Sequence, residues 1–340
     1  MRINMIAHGQ NVKGQGVGSA YFELVKLLET HAADQIQLSF NHAKNCDFNH
    51  IHTIHPYCYY QMAMSKLPSC MHVHFLPETV EGSIKIPKFA QGVFYDYFMK
   101  MYRSANELIV VNPIFIEPLT RYDIDPEHIT YIPNVVATKD FYPIDRSKLE
   151  ATYALYDINP DVFTAISVGQ VQTRKGVIDF IEIAKQMPDI QFVWAGGFSF
   201  GKITDGYEAL KQAIETAPNN VKFIGIVERE QMNALYNICD VFLSTSYNEL
   251  FPMAILEAIN AGLPLIIRNL DLYQQIYFAD YLRADTLEEY QTHLNTLKTS
   301  KTAYLSAQAV SQKIATDYSE TQVLQQWLNY YHGFMERWVK

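Results

Sequence analysis

Short apolar runs alternate along the chain with stretches in which apolar residues recur every three or four positions, the pattern of βα units feeding parallel sheets. A first series predicts strands at RINMIAH, QIQLSF, HIHTI, CMHVHF, ELIVV and ITYIP, with helices near residues 18–30, 57–66, 89–105 and 113–121. A second predicts strands at FTAISVG, IQFVWAG, VKFIG, DVFLS and LPLIIR, with helices near 175–187, 206–216, 228–238 and 252–261. The segment NVVATKDFYPIDRSKLE between them is polar and contains proline, which puts the boundary at about residues 137–148. The reading is therefore an α/β chain of two Rossmann-like domains, residues 1–142 and 143–320. The final stretch, ETQVLQQWLNYYHGFMERWVK, predicts a closing helix over 321–340 that packs back on the first domain. Ligands bind at the carboxyl ends of parallel strands, so the cleft between two such sheets is where chemistry is expected.

Length supports two domains, since 340 residues exceed what one core usually holds. Apolar content of 49% with 19% charge is ordinary for a globular chain, and no window approaches the roughly 18 to 20 apolar residues of a bilayer span. The start, MRINMIAHGQ, reads as a first strand and not as a signal peptide. Cys46, Cys58, Cys70 and Cys239 lie apart with no C-x-x-C pair, which points to a reducing cytoplasm. A net charge of −9 argues against a nucleic-acid partner. Residues 1–140 carry 11 Lys and Arg against 13 Asp and Glu, so most of the negative charge lies beyond them. The amino-terminal half is the less repelled by an anionic surface.

Candidate chemistry begins at SYNELFPMAILEAINAGLP, residues 246–264, where Glu257 sits in an apolar helix eight residues after Glu249. A buried carboxylate without a partner costs several kcal/mol or neutralises, so a ligand or a cation is expected there. Pro252 falls where the helix would begin, leaving the amides of Met253 and Ala254 free to face a phosphate or a sugar oxygen. Glu257, one turn in, could accept from a ribose diol while Glu249 reaches the other end of the same ligand. A solvated face and a turn acid are the plainer alternatives, disfavoured by the apolar surroundings. In VGQVQTRKGVIDF, residues 168–180, Arg174-Lys175-Gly176 opens a helix, where cations oppose the dipole unless an anion binds. Two adjacent cations suit a departing diphosphate; a lone R-K-G equally suits a solvated surface. In KGQGVGSAYFELV, Gly14, Gly16 and Gly18 lie between first strand and first helix without the G-x-G-x-x-G spacing, and alone they mean a flexible loop.

Together with I-P-N at Ile132-Pro133-Asn134, the order and spacing of these motifs resemble the retaining glycosyltransferases of family 4, over nearly the whole chain. The resemblance implies the GT-B fold, with a nucleotide-diphosphate sugar on the carboxyl-terminal domain and the acceptor on the amino-terminal one. It implies Glu257 on the ribose, Arg174 and Lys175 on the diphosphate, Glu249 with Phe251, Pro252 and Met253 on the donor sugar, and Gly16 closing over the phosphates. It also places a histidine beside the reacting sugar, which matching assigns to His74, with His72 two residues earlier on the same strand face. Leu250-Phe251 replace the family's usual small, glycine-containing pair and Val135 replaces a frequent glycine; the first departure touches the sugar pocket and leaves the donor open, UDP-galactose or UDP-glucose being expected although these motifs do not fix the base. The stretches GQGVGSAYFELVKLL, VQTRKGV, FVWAGG and NELFPMAILEA look most similar to bacterial glycolipid synthases that extend glucosyl-diacylglycerol. A soluble or cell-wall polysaccharide acceptor is the alternative. No cofactor and no metal ion is expected, because two cations and the helix amides cover the departing charge.

Three rival readings are set against this one. His50, His52 and His55 with His72 and His74 suggest a metal hydrolase, since H-x-H on a strand puts two imidazoles on one face; the second half of the chain offers no matching cluster. Asp123-Ile124-Asp125 has a metal-binding spacing, but the following D-P-E reads better as a turn. A sugar-binding protein without catalysis leaves Arg174 and Lys175 unexplained. Finally, SIKIPKFAQGVFYDYFMKMYRSA supplies Lys85, Lys88, Lys100 and Arg103 beside many aromatics. Residues 84–103 are therefore expected to meet an anionic membrane, making the protein cytoplasmic and peripheral on the inner face of the cell membrane. A core helix is the alternative for residues 90–104.

Overall fold

The computed structural model describes residues 1–8, 16–76, 88–199 and 201–339. The first half runs β1 (Arg2–Ile6), α1 (Gly16–His31), β2 (Gln37–Phe40), β3 (Phe48–Ile51), α2 (Pro56–Met64), β4 (Ser69–Val73), α3 (Lys88–Ser104), β5 (Glu107–Val110), α4 (Ile116–Thr120) and β6 (Ile129–Tyr131). The second half runs α5 (Glu150–Tyr156), β7 (Thr164–Val168), α6 (Val177–Gln186), β8 (Gln191–Ala195), α7 (Tyr207–Glu215), β9 (Val221–Gly225), α8 (Arg229–Asn237), β10 (Val241–Ser244), α9 (Met253–Asn260) and β11 (Leu265–Arg268). It closes with α10 (Asp271–Gln274), β12 (Leu282–Ala284), α11 (Leu287–Thr299), α12 (Lys301–Asp317) and α13 (Glu320–Trp338). Every strand and helix expected from the sequence is present. The edge strand β12 and helices α5, α10, α11 and α12 are additional. A three-residue strand carries too little periodicity to be seen, and α12 offers few large apolar side chains among its Ala, Ser and Gln positions.

Two six-stranded sheets result, ordered β2-β1-β3-β4-β5-β6 and β12-β11-β10-β7-β8-β9, with parallel neighbours throughout. In each, the strand order reverses next to the first strand, between β1 and β3 and between β7 and β10. Connections leave such a switch point in opposite directions and open a crevice at the strand carboxyl ends. Both crevices belong to the cleft described below.

Strand alternation divides the first core. Ile3, Met5 and Ile109 face α1 and α13, whereas Met71, Leu108 and Val110 face the side covered by α2 and α3. The second face continues into the carboxyl-terminal half through Ile166, Val193, Phe242 and Leu256, so one apolar cluster spans both sheets. Helix α13 lies on the first sheet through Val323, Trp327, Tyr331 and Phe334. Each such apolar side chain stabilises the docking by roughly 1.5–3 kcal/mol. Its end is pinned where Arg337 Nε and Trp338 Nε1 both donate to Glu107 Oε1, at 2.7 and 2.6 Å.

The expected membrane stripe of α3 is largely core. Phe98, Met99, Met101 and Tyr102 are buried, and Phe94 and Tyr97 pack against them. Tyr97 Oη donates to the Ile54 carbonyl at 2.7 Å and Tyr102 Oη to that of Phe75 at 2.6 Å. The apolar side of the helix is thus consumed by the sheet and α2. Among the described side chains of the stripe Val93 stays exposed, while residues 84–87 lie outside the described residues.

Candidate active site

A cleft of about 590 Å³ lies between the sheets and is lined by Gly16, His74, Asn134, Arg174, Lys175, Arg229, Glu249, Glu257 and the start of α9. Gly16, His74, Arg174, Lys175, Glu249, Phe251, Pro252, Met253 and Glu257, the residues that the resemblance assigns to the reaction, all line it.

Lys175 and Glu249 form its charged centre. Strand β7 ends at Val168, and the chain turns through a 3-10 segment, Thr173–Lys175, before α6. The two cations therefore precede the helix instead of occupying its first turn, because Gly176 sits between them and α6 in a left-handed conformation, φ +68°. A Cβ at Gly176 would lie 2.0 Å from the Thr245 carbonyl oxygen, so only glycine lets the turn press against the end of β10. That contact brings Lys175 Nζ within 2.5 Å of Glu249 Oε1, with Arg174 Nη1 3.9 Å from Oε2 and 3.1 Å from the Asn248 carbonyl. Burial pushes the Glu249 carboxyl up, but Lys175 and Arg174 outweigh it and hold the group below its ordinary range. Burial lowers Lys175, with Glu249 opposing. The pair is a dry, preformed charge site that an entering diphosphate can share.

Glu257 has found its cation within the protein. Arg229 Nη1 donates to Oε1 at 2.8 Å and Tyr236 Oη to Oε2 at 2.9 Å. The other side of the same guanidinium bonds Glu23 of α1, which also accepts from the Ala137 amide at 2.8 Å. Arg229 thus ties α1, α8 and α9 together beside the cleft. Sequence reasoning missed Arg229, Tyr236 and Glu23, since nothing in V-E-R-E or in the α1 pattern distinguishes them from ordinary helix surface. Asn112 was also missed. Its Nδ2 donates to the carbonyls of Leu250 at 3.3 Å and Leu272 at 3.1 Å, anchoring the loop that leads to Phe251 and Pro252.

Pro252 is the N-cap of α9 and Met253 its first residue, with Phe251, Pro252 and Met253 all at the cleft. Gly16 starts α1 and also faces the cleft. Gly18 is buried inside that helix, so Gly16 and Gly18 belong to helix and not to a loop; Gly14 lies outside the described residues. His74 lines the cleft, stacks on His72 at 4.4 Å, and is lowered to about 4 by burial. It is a neutral imidazole at physiological pH. His55, by contrast, caps α2 and leaves the group of His50, His52 and His72, whose ligand atoms lie within 4.8 Å of one another. Asp125 caps the turn Pro126–His128, accepting from the Glu127 amide, in keeping with the turn reading.

Residues 154–281 match the family described as glycosyl transferases group 1. The chain is 41% identical to an alpha-galactosylglucosyldiacylglycerol synthase of Streptococcus pneumoniae, over 97% of this chain and 89% of that one. It is 24% identical to a processive diacylglycerol alpha-glucosyltransferase of Acholeplasma laidlawii, over 82% of each. In fold it is similar to sucrose-phosphate synthase from Thermosynechococcus elongatus, with a TM-score of 0.80, 14% identity and coverage of 99% and 100% of the two chains. Anabaena HepE in complex with UDP-glucose gives 0.78 and 16%, with coverage of 98% and 100%. Two switch-point crevices facing one cleft, and a relative of this identity along almost the whole chain, lead to one conclusion: this chain belongs to the group 1 glycosyltransferases and has their GT-B architecture.

Proposed function

We propose that this enzyme transfers a hexose, galactose or glucose, from a UDP-sugar to a membrane glycolipid of the glucosyl-diacylglycerol class, with retention at the anomeric carbon. The observation that carries the reading is the division of the cleft into two chemistries. One side holds Arg174, Lys175, Glu249 and the start of α9; the other is walled by Phe22, Ile54, Phe75, Phe94, Phe98 and Val111. An apolar wall beside a transfer site suits a sugar joined to glycerol and acyl chains better than a free saccharide. The names of the streptococcal and Acholeplasma relatives support a diacylglycerol-linked acceptor, and the UDP-glucose of the HepE complex supports a uridine donor.

On this reading Lys175 and Arg174 take the diphosphate. Glu249 and the α9 amides hold the sugar with Gly16 across from them, Glu257 takes the ribose in the setting fixed by Arg229 and Tyr236, and His74 stands beside the reacting sugar. The bond from the anomeric carbon to the phosphate oxygen breaks as the acceptor oxygen bonds on the same face, and the departing phosphate takes the acceptor proton. The cations and amides carry the developing charge, so neither a cofactor nor a metal ion at the diphosphate is required. Incubation with labelled UDP-galactose or UDP-glucose, EDTA and detergent-dispersed glucosyl-diacylglycerol should give a chloroform-soluble, α-linked diglycosyl lipid. Label confined to water-soluble saccharides would refute the acceptor, a β-linkage the stereochemistry, and a requirement for an added divalent ion the metal-free donor site.

No helix among the described residues is long and apolar enough to cross a membrane. A bilayer-resident acceptor then requires the cleft to come to the headgroup plane, with the protein peripheral on the cytoplasmic face. The contact on this reading combines Lys85 and Lys88 with the exposed Tyr60, Met64 and Val93. Each lysine near an anionic surface is worth about 1 kcal/mol, so charge reversal in Lys85→Glu/Lys88→Glu should weaken vesicle binding by more than about tenfold, most strongly at low salt. Co-sedimentation with anionic vesicles measures it; unchanged pelleting of the double variant would remove this stretch from the contact.

A further inference from the structure

Outside the transfer chemistry, the strongest unexplained feature is a stack of buried histidines below His74. Pairing of Ile51 with Met71 sets β3 and β4 in a register that puts His52 and His72 abreast, with His50 on the same face of β3. Ring centroids are 4.0 Å apart for His50 and His52, 5.2 Å for His52 and His72, and 5.7 Å for His50 and His72. Their relative exposures are 0, 1 and 4%. Five of their six ring nitrogens have no hydrogen-bond partner: Nε2 of His50 and both nitrogens of His52 and His72. The sixth, Nδ1 of His50, meets Tyr331 Oη of α13 at 2.9 Å. Each unmade hydrogen bond on a buried group is unfavourable, and natural cores rarely hold several together unless an ion or ordered water completes them.

We propose that His50, His52 and His72 bind a divalent transition-metal ion of the zinc class in a closed site beneath the cleft. Three imidazoles from an H-x-H strand and its neighbour form a donor set suited to zinc, copper or nickel and poorly suited to magnesium or calcium. Tyr331 occupies Nδ1 of His50 and leaves Nε2 to the ion, the outer-shell arrangement that orients metal-bound histidines. One ring nitrogen of each already lies within 4.8 Å of the others, so binding an ion through bonds of about 2.0–2.1 Å calls for a further approach of the rings by side-chain rotation. No Asp or Glu among the described residues joins the three, so a bound hydroxide would offset part of the charge. The site holds structure: it joins β3, β4 and α13, and fixes His72, on which His74 stacks. It is separate from the diphosphate, and the transferase reading does not depend on it.

The test uses full-length protein freed of any affinity tag and purified without chelator from zinc-supplemented cells. Mass spectrometry of metal content should find about one zinc per chain, and growth in cobalt should give visible d–d absorption from a site of low coordination number. His72→Phe should lose both the zinc and the absorption while keeping the far-ultraviolet circular dichroism of the wild type. If that variant fails to fold, His52→Gln serves the same purpose. Wild-type protein holding less than about a tenth of an equivalent of any transition metal, or folded variants that retain the full metal content, would overturn the assignment and leave ordered water as the occupant.

Discussion

Lys175→Ala should lower kcat by about 10²–10³-fold while the affinity for UDP changes by only a few-fold, because the ammonium is worth most when charge builds on the leaving diphosphate. Lys175 is held by Glu249, so on the proposed reading free nucleotide must compete with an existing ion pair. Charge that develops during bond cleavage meets the same ammonium in a water-poor pocket, where Coulomb interactions are stronger than in solvent. Arginine is not expected to rescue the variant. The lysine stem runs against the strand end, with Cε 3.4 Å from the place a Cβ would occupy on Gly169, and a planar guanidinium has no comparable room. Steady-state kinetics with calorimetric UDP binding separate the cases: a large rise in KM with kcat preserved would make Lys175 a ground-state ligand only.

Arg229→Met should be the most destabilising substitution at the cleft. It leaves Glu23 and Glu257 buried without their cation, and breaking a buried pair costs about 3–5 kcal/mol; the low end applies because the arginine side chain is 34% exposed. Burial already raises the Glu23 carboxyl above its ordinary value, with Arg229 and the Ala137 amide opposing. Without the arginine that shift widens. The folded state then binds more protons than the unfolded one above the ordinary carboxyl value of 4.5, so stability falls as pH rises. The variant's deficit should be greatest at neutral pH and shrink toward pH 4.5. Denaturant melts at several pH values decide it, and a deficit independent of pH would mean lost packing against Phe141 instead of unpaired carboxylates.

Much of the fold was legible because parallel strands and amphipathic helices carry their own periodicity. All the expected strands formed, and the charged residues that interrupt apolar runs, Arg174, Lys175, Glu249 and Glu257, meet at one cleft. The α3 stripe shows where that logic stops. Helical spacing of Phe94, Tyr97, Phe98 and Met101 is the same whether a helix faces a bilayer or a sheet, and only Tyr97 on Ile54 and Tyr102 on Phe75 choose the sheet.

Local pattern thus determined the two βα series and picked out the charged residues, Arg174, Lys175, Glu249 and Glu257, that line the cleft. Tertiary structure alone decided which charge meets which. Arg229 reaches Glu257 across 28 positions and Glu23 across 206, and Tyr331 reaches His50 across 281. Pairings over such separations leave no mark in any window of sequence, because they exist only once the chain has folded and the desolvated groups have had to find one another.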